Sequence, residues 1–333
     1  MEASEAAKNA LENVLEASNG ERIVIVCDDK KTDVGEAFAT GASALGLSTR
    51  LVILGTSKEP RTEIPEHLQK ILNQKQDIYI NLLQGNREET PFRIKLIKTE
   101  THDHKARLGH CPGVTLDILT EGALALTPEE HKIMQCHAES LIHALENTVT
   151  VEIRNPAGTN LTLSTQNRKF FTDTKLDWKT MKWMNLPTGE VIIAPVEDSL
   201  NGKLVCDMAI GGIGKLRKPV EVTAKNGRVE TVFSQDKEHL RKVEETFATD
   251  DWSDVVGEFA FGINPKARFV QEFLEAEKIL GTVHVAFGAN TDMPGGKNPS
   301  KNHMDLLISD PTVNVIKEKR ETVTILKKGC FQA

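Results

Sequence analysis

Three segments near the carboxy-terminal end of this 333-residue chain place acids and imidazoles in the same strand-like setting. In Glu258-Phe259-Ala260-Phe261-Gly262-Ile263, alternation puts Phe259, Phe261 and Ile263 on one face and Glu258, Ala260 and Gly262 on the other. In Thr282-Val283-His284-Val285-Ala286-Phe287-Gly288, Val283, Val285 and Phe287 share a face, and His284 stands among Thr282, Ala286 and Gly288. In His303-Met304-Asp305-Leu306-Leu307-Ile308, His303 and Asp305 are two apart and point the same way. A potential ligand thus repeatedly faces away from an apolar surface, with small neighbours that leave room. Burying a carboxylate is costly unless it is paired or bound to a metal, so acids and imidazoles that converge are best reconciled by a cation. A lone histidine on a strand is more often an ordinary core or surface residue, and an HxD pair is common. The set of three segments is what points to a metal site.

These segments need a scaffold. Near the amino terminus, Glu2–Glu16 carries a helical apolar stripe, and Arg22–Cys27 is a continuous apolar run typical of a strand buried on both faces. A helix over Asp33–Leu45, a strand over Thr49–Leu54, a helix over Glu66–Asn73 and a strand over Asp77–Leu83 follow. That succession predicts a parallel sheet wound with helices. The first strand runs into Asp28-Asp29-Lys30-Lys31-Thr32, with no glycine to admit a pyrophosphate and two acids to repel it, which excludes a nucleotide site there. After a helix over Pro128–Leu145 the texture changes to short β-rich runs: Val149–Arg154, Leu161–Ser164, Glu190–Ala194, Lys203–Ile210 and Val220–Thr223. The expected fold class is α/β. A wound α/β domain over residues 1–147 precedes a β-rich α/β metal-binding domain over 148–333.

Composition excludes other classes. Apolar residues make 39% and charged residues 27%, as in globular proteins, and a net charge of −7 with 5% aromatics gives no footprint for nucleic acid. No apolar stretch approaches the roughly 20 residues of a membrane span. Met1–Asn19 is acidic and Ala-rich, unlike a secretory signal. Five widely spaced cysteines without a CxxC pair read as free thiols of a reducing compartment, so a cytoplasmic protein is expected.

Four ordered motifs carry a family resemblance: Asn185–Gly202 (NLPTGEVIIAPVEDSLNG), Gly257–Pro265 (GEFAFGINP), Gly281–Gly288 (GTVHVAFG) and Gly295–Asp305 (GGKNPSKNHMD). The chain resembles the aminopeptidase T family of metallopeptidases over nearly its whole length, more loosely in the first half through His110–Thr115. The resemblance implies five metal ligands, two glutamates, two histidines and an aspartate, which carry over onto Glu197, Glu258, His284, His303 and Asp305. Such a set suits two divalent ions, zinc, cobalt or manganese. The implied reaction is hydrolysis of a small peptide or amide by a metal-activated water, with Glu197 or Glu258 as the proton-shuttling carboxylate. A homodimer is also implied by the family.

The resemblance departs at one position. The peptidases carry a catalytic tyrosine shortly after the residue matching His284, whereas Asn290, Thr291 and Asp292 stand there, and the single tyrosine, Tyr79, falls on a predicted strand of the other domain. A second branch of the superfamily, the iron-dependent dioxygenases that open dihydroxypyridine rings, is similar in Gly262–Pro265 and in the final Gly-Gly to His-x-Asp stretch. It would use His284, His303 and Asp305 on one Fe(II), with a histidine expected where Glu258 stands. A protein that kept the metal cleft for binding alone is the third reading.

Other candidates are weaker. His102-Asp103-His104 lies in a polar stretch that reads as a surface loop. Lys266 and Arg268, at the start of a predicted helix over Ala267–Lys278, could bind a substrate carboxylate or be solvated. No motif near Cys111 or Cys206 would activate a thiolate. His303→Ala and Asp305→Ala are each expected to abolish metal binding while leaving the fold largely intact. Elemental analysis showing full metal occupancy in either variant would overturn the assignment.

Overall fold

The run Arg22–Asp28 forms a strand whose residues after Arg22 are all buried, because helices cover both of its faces. The computed structural model describes residues 1–56, 59–102, 106–177 and 181–332, with every side chain among them except that of Arg87. The chain divides into two compact units, each described by itself below.

The first unit comprises Met1–Gln135, Asp173–Thr188 and Lys266–Arg268. Its sheet is five-stranded, in the order Ser48–Leu54, Arg22–Asp28, Ile78–Leu82, Arg107–His110, Trp183–Asn185, and every neighbouring pair is parallel. Helices Ala3–Asn13, Thr32–Ala44, Glu66–Leu72 and Thr90–Glu100 belong to this unit. The expected wound α/β domain is therefore present. Its fifth strand arrives from far along the chain, so the unit is discontinuous, where the expected division at 147/148 was a single cut.

The second unit comprises Cys136–Thr172, Gly189–Pro265 and Phe269–Ala333. It holds an eight-stranded and a seven-stranded sheet. The seven-stranded sheet has the order Gly214–Lys215, Ala209–Ile210, His303–Ile308, Val283–Gly288, Val256–Gly262, Glu190–Ile193, Phe171–Thr172, and every pair in it is antiparallel. All three ligand-bearing segments read from the sequence lie side by side at its centre. Phe259, Phe261, Val283, Val285, Phe287, Leu306 and Ile308 are wholly buried on the face opposite the ligands. The predicted helix over Ala267–Lys278 is not continuous: only Phe273–Ala276 is helical. Residues 266–268 belong to the first unit, where Lys266 pairs with Glu130 and Arg268 with Asp117. No helix among the described residues is long and apolar enough to cross a membrane.

One buried acid in the first unit gives the fold a measurable pH dependence. Asn81 donates to Glu100 Oε2 at 2.6 Å, both side chains are buried, and Glu100 Oε1 has no hydrogen-bond partner among the described residues. Burial pushes the Glu100 carboxyl up to about 8, against the smaller opposing effect of Asn81. The folded chain keeps this proton through neutral pH, and the unfolded chain releases it near the ordinary value of 4.5. Stability is therefore undiminished below the unfolded value and is lost as pH rises toward the folded one. Glu100→Gln is expected to exceed wild type in urea unfolding by on the order of 3 kcal/mol near pH ~8, the advantage vanishing near pH ~4.5. Equal stabilities at the higher pH would mean that the carboxyl is hydrated.

Candidate metal centre

Strand register brings the ligand-type side chains together. Glu258 and Asp305 both pair across to Ala286, one from each side, and His284 pairs with Ala260. Glu190 pairs with Gly262, and His303 with Gly288. Each bulky ligand-type residue thus has alanine or glycine opposite it on one neighbouring strand, His284 having Leu307 on the other, and the small residues leave the space into which the acids and imidazoles project.

Two overlapping groups result: Glu190, Glu258 and His284, and Glu258, His303 and Asp305, the donor atoms of each lying within 4.8 Å of one another. His284 Nε2 is 3.3 Å from Glu258 Oε1, 3.4 Å from Glu190 Oε1 and 3.8 Å from Asp305 Oδ1. His303 Nε2 is 3.2 Å from both Glu258 Oε2 and Asp305 Oδ1. Glu258 therefore turns one oxygen to each histidine. His284, Glu190 and Glu258 are buried, while the His303 side chain keeps 32% of its surface exposed, so the cluster opens on that side.

The electrostatics call for positive charge. Burial opposes ionisation of Glu258, yet the imidazoles of His284 and His303 hold it far below the usual carboxylate range. Burial likewise opposes charging of the histidines. Glu190, Glu258 and Asp305 nevertheless raise His284, and Asp305 and Glu258 raise His303, each well above the ordinary imidazole value. His303 Nδ1 lies 2.8 Å from the Ala289 carbonyl oxygen, which can only accept, so Nδ1 carries a proton. Its Nε2 lone pair would then meet two carboxylates unless a second proton or a metal cation stands between them. This carbonyl-oriented imidazole facing carboxylates is the donor chemistry of a divalent-cation site.

Four of the five residues expected as ligands are brought together: Glu258, His284, His303 and Asp305. Glu197 lies outside both groups. It follows the end of the Glu190–Ile193 strand and Pro195, and pairs with Arg168 at 2.6 Å. It also accepts from the Lys297 backbone at 2.8 Å and from Asn290 Nδ2 at 3.3 Å. Those partners make it a tie for the 290–298 loop. The fifth member of the cluster is Glu190, seven residues earlier in the same NLPTGEVIIAPVEDSLNG motif. From the sequence, Glu190 reads only as the start of the short β-rich run Glu190–Ala194. A glutamate opening an apolar run was the available signal. Asp103 and His104 lie outside the described residues.

The sequence profile of the thermophilic metalloprotease (M29) family matches residues 129–331. The chain belongs to that family. Among solved structures it is similar to wild-type AmpT from Thermus thermophilus, at 15% identity and a TM-score of 0.73 over 100% of this chain and 99% of that one. It is also similar to the 2,5-dihydroxypyridine dioxygenase from Pseudomonas putida KT2440, at 16% identity and a TM-score of 0.72 over 99% and 97%. At such identities the likeness establishes the shared two-domain fold. No curated protein matches the chain.

Within this M29 chain, the position expected to hold a tyrosine is occupied differently. Asn290 is buried, its Oδ1 accepting from the Asn298 backbone at 2.7 Å and its Nδ2 donating to the Gly257 carbonyl at 3.1 Å. Thr291 and Asp292 are exposed, and Tyr79 belongs to an apolar cluster of the first unit. Glu197→Ala removes one partner of the largely buried pair with Arg168 and unties the loop. It is expected to cost on the order of 2 kcal/mol in thermal or urea unfolding and to leave the number of bound metal ions unchanged. Loss of an ion in that variant would return Glu197 to the ligand set.

Proposed function

We propose that this M29 protein hydrolyses a peptide or amide bond of a small substrate, with Glu190, Glu258, His284, His303 and Asp305 holding two divalent ions. The observation that carries the reading is Glu258, whose Oε1 faces His284 and whose Oε2 faces His303, so that it is common to both groups that would each hold an ion. Zinc, cobalt or manganese suits three carboxylates and two imidazoles. Such ions, when bound, supply Lewis acidity toward a carbonyl and lower the pKa of a water. The chain's own groups do the rest. The exposed side of His303 is where substrate would enter. The Ala289 carbonyl keeps the His303 ring in orientation. Of the two carboxylates expected to move the proton, Glu258 is in the cluster and Glu197 is held by Arg168. The family resemblance implies a homodimer, and the five widely spaced cysteines a cytoplasmic setting.

The second reading is the mononuclear iron dioxygenase, favoured by the absence of a tyrosine near Asn290. It would make His284, His303 and Asp305 sufficient and Glu258 an outer group. Contact of Glu258 with both imidazoles supports the hydrolase instead.

Glu258→His separates the two readings. For a dinuclear hydrolase it should strip one ion and most hydrolytic activity. For a dioxygenase, loss of an outer group costs roughly 10–100-fold in affinity or activity with the metal count unchanged. Metal per chain, amide hydrolysis and oxygen uptake are the measurements. A single retained iron with continuing oxygen uptake would overturn the hydrolase, and two stably bound ions without turnover of any peptide in wild type would leave a binding protein.

A further inference from the structure

Behind Glu190 stands a lysine that the hydrolytic reading does not use. Lys278 is almost fully buried, and its ammonium pairs with Glu190 Oε2 and, at 2.9 Å, with Glu277 Oε1. The other oxygen of Glu190, Oε1, is the one 3.4 Å from His284 Nε2. The two oxygens of this carboxylate thus have separate duties, one toward the cluster and one toward an internal cation.

The backbone makes this placement rigid. Lys278 follows the short Phe273–Ala276 helix, whose Phe273 and Ala276 pack with Ala209 and Leu307. Asn264 donates its backbone N–H to the Lys278 carbonyl at 2.9 Å, and Asn264 and Ile279 form a parallel bridge. Gly262, the register partner of Glu190, lets this segment approach: a Cβ there would stand 2.2 Å from the Ile279 carbonyl oxygen and 3.0 Å from that of Glu277. The chain is drawn onto the sheet beside Glu190 because that position has no side chain. A buried lysine is tolerated only with its charge matched, and Glu190 supplies the matching charge, while Glu277, whose carboxyl burial pushes up to about 7, is its second partner.

We propose that Lys278 is a positioning residue that confines Glu190 to a single coordinating oxygen. The inference rests on the reading of the cluster as a metal centre. A carboxylate whose second oxygen is held by an ammonium cannot close around an ion with both oxygens. The position that a second oxygen would fill therefore stays open for water or substrate. Without Lys278, Glu190 could turn both oxygens on an ion.

The test is cobalt(II) titration followed by visible ligand-field absorption, which reports coordination number independently of activity. Lys278→Met is expected to lower the absorption per cobalt by up to about twofold, as coordination number rises at the one ion that Glu190 faces. Because Lys278→Met leaves two buried carboxyl groups facing each other, the Lys278→Met/Glu277→Gln double variant is the companion that keeps the fold. It is expected to show the same loss of absorption through Glu190 alone. Glu277→Gln by itself keeps Lys278 on Glu190 and is expected to keep the wild-type spectrum. Wild-type bands retained in the folded double variant would overturn the role of Lys278 and leave the metal centre standing. A wild-type protein that takes up no cobalt would instead remove the metal-centre reading and this inference with it.

Discussion

Three carboxylates and two imidazoles share one face of a sheet whose other face is packed with phenylalanine and branched aliphatic side chains. Negative charge is concentrated where water is largely excluded, and everything around the cluster answers that constraint. The histidines are driven toward their charged form, Glu258 is held ionised between them, and Lys278 supplies a fixed positive charge at the back. Such a cluster stores the cost of desolvated acids until a cation offsets it, which ties metal binding to folding.

The sheet is the device that makes the cost tolerable. Antiparallel register sets side chains on neighbouring strands a few ångströms apart without any freedom to separate, so the geometry of the ligands is that of the backbone ladder. Ala260, Ala286, Gly262 and Gly288 are the register partners of the ligand-type residues, and their small size is what lets five bulky polar groups occupy one face. Flanking acids serve the loops and walls instead. Glu197 ties the 290–298 loop through Arg168 and the Lys297 backbone, and Glu277 helps to hold Lys278.

The likeness to two solved structures of different chemistry is a reminder that one fold hosts several reactions. The family membership makes a metallopeptidase the coarse description, and the finer reading proposed above rests on the arrangement around Glu258. The absence of a tyrosine near Asn290 removes a candidate proton donor for an oxyanion, and Asn290 cannot replace it, since both ends of its amide are engaged in holding the loop.

The sequence by itself determined the strands of Glu258, His284, His303 and Asp305, because alternation with period two is local and assigns each residue a face without knowledge of its neighbours. It likewise determined the wound character of the first unit from apolar runs alternating with helices. Register between strands distant in sequence is a different matter. Two glutamates stand in one motif, and only the pairing of Glu190 with Gly262 places that one in the cluster, while Pro195 and the pull of Arg168 take Glu197 away. The Trp183–Asn185 strand was invisible for the same reason: three residues carry no period, and their partner is Arg107–His110. Lys278, read along the chain, is one more charge near the end of a helix. The approach of its segment over Gly262 is what buries it, and burial is what turns that charge into part of the site.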